Sequence, residues 1–192
     1  MPGIYNVEID AGWVDASRQA VEFSMDPRNF LFRERILQFE KLSFDESAVS
    51  IEGIESILHG TQFYNRIPEG ENRRLSDMLL EAGREARVNP YHLASRMRLE
   101  VGPYLSHPSI TGTVPGYEGL FNFYNIGATS EPEFMDVIRN GLRFAREGRP
   151  GINPDEMLIP WDTRQRAMTG GAMFIGARYI NVRSEYYISP EI

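Results

Sequence analysis

One carboxylate stands out by its position. Glu100 closes a stretch that opens at the cap-plus-proline pair Asn89-Pro90 and is stopped by Gly102-Pro103. It follows Met97 by three residues and Leu93 by seven, so the three share one helix face. A carboxylate on an apolar face at a helix C-terminus meets two effects, desolvation and the negative end of the helix dipole. Both disfavour its charged form. A carboxyl that stays protonated near neutral pH is what a general acid requires. Pattern alone equally allows a glutamate turned outward at a fraying helix end, and that is the commoner arrangement. Glu118 follows 18 residues later, beside Tyr117. Taken alone it reads as a solvated loop acid.

The second cluster is the aromatic-polar string from Tyr117 to Asn125. Sugar rings present apolar C–H faces and ring hydroxyls, so a site for them needs flat aromatic surfaces beside amides and hydroxyls. Tyr117, Phe121, Asn122, Phe123, Tyr124 and Asn125 supply both. The plain alternative is a strand that buries Phe121 and Phe123 while the asparagines turn the chain. Other chemistry is thin. His59, His92 and His107 lack metal-ligand spacing, and HExxH, GxSxG, P-loop and GxGxxG patterns are missing. Arg143, Arg146 and Arg149 form a basic cluster able to hold an anion, although an exposed helix end explains them as well.

Helices must position these groups, and their starts are legible. Asp26-Pro27 predicts a buried helix carrying Phe30, Leu31, Phe32, Ile36, Leu37 and Phe39. Ser50 predicts a helix start with Ile51, Ile54, Ile57 and Leu58 on one face and Gly60 as its stop. Residues 62–74 are polar and read as a surface loop. Leu75, Met78, Leu79, Ala82 and Ala86 follow helical spacing. Residues 102–119 read as loop or irregular sheet, and Phe121–Tyr124 as a short extended piece. Ser130-Glu131-Pro132-Glu133 has the form of a capping box and predicts a helix burying Phe134, Val137, Ile138, Leu142 and Ala145. A last helix is expected near Asp162, with Met168, Ala172, Ile175 and Tyr179 along one face and Gly170, Gly171 and Gly176 allowing close packing.

Composition excludes several classes. The 192 residues contain no cysteine, which removes disulfides, thiol catalysis and thiolate metal sites. Lys41 is the single lysine. The formal net charge of −7 leaves no domain-wide basic footprint for nucleic acid. No segment reaches the ~20 apolar residues of a membrane span, so no membrane partner is expected. Met1 to Ala20 carries Glu8, Asp10 and Asp15 and lacks the apolar run of a signal peptide.

At Glu100 these readings meet a known pattern. Val88-Asn-Pro-Tyr-His-Leu-Ala-Ser-Arg-Met-Arg-Leu-Glu-Val-Gly102 resembles the catalytic helix of bacterial endo-β-N-acetylglucosaminidases, the peptidoglycan hydrolases of glycoside hydrolase family 73. Their "ASR-x-R-x-E" run ends in the catalytic acid. Gly116-Tyr-Glu-Gly-Leu-Phe-Asn-Phe-Tyr-Asn-Ile-Gly-Ala128, Trp161-Asp162-Thr163 and Gly170-Gly-Ala-Met-Phe-Ile-Gly-Ala-Arg-Tyr-Ile-Asn181 match its later motifs in order. Met25–Phe30 and Phe39–Ser43 resemble the helical preface of clostridial-type members.

The resemblance implies an α+β, mostly α, lysozyme-like fold, with a small irregular β lobe facing a helical lobe across a groove. It implies a catalytic domain over residues 21–192, after an N-terminal extension at 1–20, cutting the β-1,4 bond between N-acetylglucosamine and N-acetylmuramic acid. Glu100 is the expected acid and Glu118 a candidate second group. Tyr117, Asn122, Tyr124, Asn125, Tyr179 and Tyr187 are expected to bind substrate. No metal or organic cofactor is implied. The expected partner is the peptidoglycan glycan strand. The chain then reads as a domain excised from a wall-located extracellular protein and tethered there to wall-binding domains. A lytic transglycosylase on the same scaffold, a non-catalytic wall-glycan binding module and an unrelated helical interaction protein remain alternatives. Past Asn181 the chain departs from the usual family ending, which leaves the register of Tyr187 open.

Overall fold

Capping chemistry sets where most of the helices begin. The computed structural model describes residues 8–10, 13–30, 41–130 and 136–180. The chain divides into two compact units, Met1–Lys41 and Leu42–Ile192. The first holds a two-stranded antiparallel ribbon, β1 (Glu8–Asp10) with β2 (Trp13–Val14), and helix α1 (Arg18–Met25), which Ser17 caps by accepting from the Ala20 N–H. A 3-10 turn, Pro27–Phe30, follows. The helix expected from Asp26-Pro27 is therefore described only as that turn; Leu31 to Phe39 lie outside the described residues. The boundary expected after residue 20 falls inside α1.

In the second unit, Ser50 caps α2 (Ile51–Leu58) by accepting from the Gly53 N–H. The Arg74 N–H donates to Asp77 at the head of α3 (Leu75–Ala86). Asn89 caps α4 (Pro90–Glu100) by accepting from the Tyr91 N–H, with Pro90 in the first turn. Asp136 caps α5 (Val137–Glu147) and Thr163 caps α6 (Arg164–Ile175). A π-turn, Gly176–Ile180, continues α6. The capping box at Ser130 is not where α5 begins: Asp136 does that job, while 131–135, with Phe134, lie outside the described residues. Val137 is exposed rather than inward, and Asn140 is buried in its stead.

α6 packs along α3, and α2, α3 and α4 pack against one another in pairs. Ile54, Leu58, Leu75, Leu79, Leu93, Met97, Met168 and Ile175 are among the side chains buried there. Each such burial stabilises by roughly 1.5–3 kcal/mol. The glycine pair in α6 works by close approach. A Cβ on Gly170 would meet the Met157 carbonyl at 2.1 Å, and one on Gly171 the Tyr124 ring at 2.4 Å. Trp161 is fully buried and joins three segments. Its indole N–H donates to the Met157 carbonyl at 2.8 Å, its backbone N–H to Ala145 at 2.8 Å, and its carbonyl accepts from Phe121 at 3.1 Å.

The fold is mostly helical. Between α4 and α5 the chain runs through turns and one 3-10 turn, Pro108–Ile110, and no strand occurs there among the described residues. The extended piece expected at Phe121–Tyr124 is not formed as a strand. The backbone N–H groups of Phe121 and Asn122 go to Trp161 and Ser109 rather than to a neighbouring strand. All four side chains are buried, so none alternates outward.

Candidate active site

α4 carries Glu100 to its last turn, where Val101, its N–H bonded to the Met97 carbonyl at 2.9 Å, and then Gly102 at φ +90° end the helix. Leu93, Ala94 and Met97 anchor the inner face of α4. Arg98 ties the same turn to the end of α2, donating to the carbonyls of Ile57 and His59. The Glu100 side chain stands at the edge of this face and is 30% exposed. Its surroundings are not the apolar ones expected. Arg96, one turn earlier, faces it with 3.6 Å between guanidinium nitrogen and carboxylate oxygen.

Glu100 and Arg96 line a cavity of about 230 Å³. The connection between α4 and α5 contributes Tyr124, Asn125, Ile126 and Gly127, and the end of α6 contributes Phe174 and Ile175. Arg178 and Tyr179 from the π-turn and Arg149 from beyond α5 complete much of the wall. On its other flank Glu100 borders a second, shallower cavity of about 290 Å³ with His92, Ser95, Arg96 and Leu99.

The candidate residues separate on inspection. Asn125 lines the cavity, and its side-chain amide donates to the Glu100 carbonyl, fixing the loop to the end of α4. Tyr124 also lines the cavity but is 2% exposed. Its hydroxyl and the Nε of Arg96 are both buried without a hydrogen-bond partner among the described residues. Burial pushes the Tyr124 phenol well above its ordinary range, with the Arg96 charge opposing. Buried polar groups normally find partners, so this pair is an exception within the fold. Tyr179 is 62% exposed, with the Arg96 guanidinium 5.3 Å from its ring centre.

Three expectations change. Asn122 is fully buried and fully engaged within the fold. Its Nδ2 donates to the carbonyls of Ile126 and Gly141 at 2.8 and 2.9 Å, and its Oδ1 accepts from the Ile126 N–H at 3.1 Å. It has nothing left for a sugar. Tyr117 lies under Arg146, 4.9 Å from the guanidinium, and does not line the cavity. Glu118 is fully exposed and away from the cavity lining. Its own N–H and that of Gly116 hold its carboxyl below the usual range. Tyr187 lies outside the described residues. Among the described residues no three His, Asp or Glu side chains are grouped as metal ligands would be.

Arg96, Arg178, Thr129 and Phe174 went unnoticed as candidates. Arg96 had a signal: it precedes Glu100 by four residues, the spacing that brings opposite charges together on a helix. Arg149 was seen only as part of a basic cluster.

No protein-family model matches the chain. Over 176 residues it is 28% identical to the β-N-acetylglucosaminidase of Bacillus subtilis (strain 168), a match that covers 91% of this chain and 17% of that protein. It is 24% identical over 173 residues to the bifunctional autolysin of Staphylococcus aureus (strain N315), covering 88% of this chain and 12% of that one. The chain thus spans under a fifth of the length of these relatives. A solved major bifunctional autolysin superposes with a TM-score of 0.60 at 23% identity, covering 91% of this chain and 64% of that chain. Glucosaminidase B of S. aureus superposes with a TM-score of 0.62 at 24% identity, covering 92% and 61%. The resemblance read from the motifs is thus matched along nearly the whole chain, which has the fold of these autolysin and glucosaminidase structures.

Proposed function

We propose that the chain is a glucosaminidase domain of family 73 that hydrolyses peptidoglycan, with Glu100 as its general acid. The observation that carries this reading is the placement of Glu100. A partly exposed carboxylate at a helix end is shared by two adjoining cavities, so a glycan strand can lie on both sides of it. These cavities together are the groove of the proposal. The names of the relatives, β-N-acetylglucosaminidase and bifunctional autolysin, agree with that chemistry.

In the proposed reaction Glu100 gives its proton to the glycosidic oxygen as that bond breaks, and the anomeric carbon gains oxocarbenium character. Among the described residues lining the two cavities, Glu100 is the only carboxylate. This favours assistance by the substrate's own N-acetyl carbonyl, which closes on the anomeric carbon from the far side. Glu100, now ionised, takes a proton from the water that reopens the ring. Asn125, Tyr124 and Tyr179 orient the sugar beside it. The protein acts at the extracellular wall, and the greater length of the relatives leaves room for wall-binding domains beyond this one.

The test is mass spectrometry of muropeptides released from purified peptidoglycan by the native chain and by Glu100→Gln. The native chain is expected to release reducing N-acetylglucosamine ends and the variant none. Native-like release by the variant sinks the assignment. Anhydro-muramyl ends would make the enzyme a lytic transglycosylase instead, and wall binding without release would make it a binding module.

A further inference from the structure

The arginines of the cavity run against the composition. The chain carries a net charge of −7, yet the described lining beside Glu100 holds three arginines and one carboxylate. Arg96 is occupied by Glu100 and Tyr179. Arg178 lies over the Phe174 ring at 4.8 Å and has no carboxylate partner among the described residues. The Arg149 guanidinium has no ion pair or hydrogen bond among them. Gly148, at φ +71°, turns the chain out of α5 and sets Arg149 beside Gly127 and Thr129. A small cavity of about 50 Å³ continues there, sharing those three residues with the main one and adding Arg143. Guanidinium groups gathered in one concavity repel one another until an anion arrives. Their planar fork pairs bidentately with a carboxylate, as it does with a phosphate.

We propose that Arg149, with Arg178 flanking it, forms a carboxylate subsite for the charged 3-O-lactyl arm of a muramic acid residue. The ligand is either the free lactyl carboxylate or a carboxylate of a peptide joined to it. This inference rests on reading the cavity as a glycan site. It supplies something that reading lacks. The two alternating sugars of wall glycan differ only in that arm, so an enzyme that cuts after one and not the other must sense it.

The experiment uses the Glu100→Gln chain, in which hydrolysis is blocked, and isothermal titration with three probes. These are a tetrasaccharide of N-acetylglucosamine, a wall-glycan tetrasaccharide with free lactyl carboxylates, and the same tetrasaccharide carrying its peptides. At least one arm-bearing probe is expected to bind about tenfold more tightly than the uncharged one. Whichever charged probe leads identifies the source of the carboxylate. Adding Arg149→Gln, at an exposed position outside the core, is expected to erase that preference. Equal affinity for all three probes, or a preference that survives Arg149→Gln, overturns the subsite and leaves the glucosaminidase reading standing. Binding of none of the three overturns both.

Discussion

Replacing Asn122 by alanine removes a buried amide that serves four backbone groups at once. The carbonyls of Ile126 and Gly141 lose donors at 2.8 and 2.9 Å, and the N–H groups of Ile126 and Tyr124 lose their acceptor at 3.1 and 3.4 Å. A buried group left unpaired costs about 1–3 kcal/mol. Partial entry of water offsets some of this, so the net loss is about 3–5 kcal/mol. At about 2–4 °C per kcal/mol for a domain of this size, the melting temperature is expected to fall by about 6–20 °C. Asn122→Asp keeps the acceptor but turns a carboxylate oxygen toward two carbonyls, and is expected to be destabilised at least as much. Because the amide holds the loop that delivers Tyr124 to Gly127 to the cavity, turnover falls too, but in step with stability. Calorimetry of both variants beside glycan binding well below the transition separates the roles. An unchanged melting temperature with weakened glycan affinity would refute the structural role and return Asn122 to the substrate.

Three further outcomes are expected. Tyr124→Phe deletes a hydroxyl that has no partner among the described residues, so stability should hold or rise by up to about 1 kcal/mol. On the proposed reading, in which Tyr124 orients the sugar, kcat/KM on glycan should fall about tenfold; loss of stability without loss of activity contradicts this. Gly171→Val drives a side chain into the Tyr124 ring and is expected to cost about 1–3 kcal/mol or more, read as a lower denaturant midpoint with unchanged slope. His107 accepts the Ser109 N–H on Nδ1, and burial lowers its pKa below the ordinary value of about 6.5. The unfolded chain therefore binds the proton first. The stabilisation is whole above that ordinary value and is lost as pH falls through the folded one. His107→Asn keeps a capping acceptor that does not titrate, and its melting temperature should fall less than that of the native chain between pH 7 and pH 5.

Local chemistry was legible where a residue acts on its own neighbours. Ser50, Asn89 and the Asp162-Thr163 start were readable because an N-cap needs only the next three residues. The apolar stripe of α3 and the glycine pair of α6 were readable from spacing alone. Asn122 was misread for the opposite reason. Its partners are Tyr124, Ile126 and Gly141, and the last lies across the fold, so an amide beside aromatics looks the same whether it faces a ligand or a carbonyl. Phe121–Tyr124 shows this too. Alternation predicts a strand only when a neighbour exists to pair with, and here Trp161 and Ser109 take the backbone instead.

The position of Glu100 was legible, and the cations around it were not. Glu100 sits where helix periodicity puts it, but the environment read for it was drawn from one helix. Arg178 and Arg149 come from segments whose approach no pattern near residue 100 could report. That difference alters the chemistry. Glu100 shares its cavity with guanidinium groups whose charge a bound carboxylate would reduce. On the proposed reading, an arm-bearing glycan therefore alters the electrostatics around its own general acid as it binds. The arm should therefore register in turnover as well as in binding, and equal kcat for charged and uncharged oligosaccharides would break that link between the arginines and the acid.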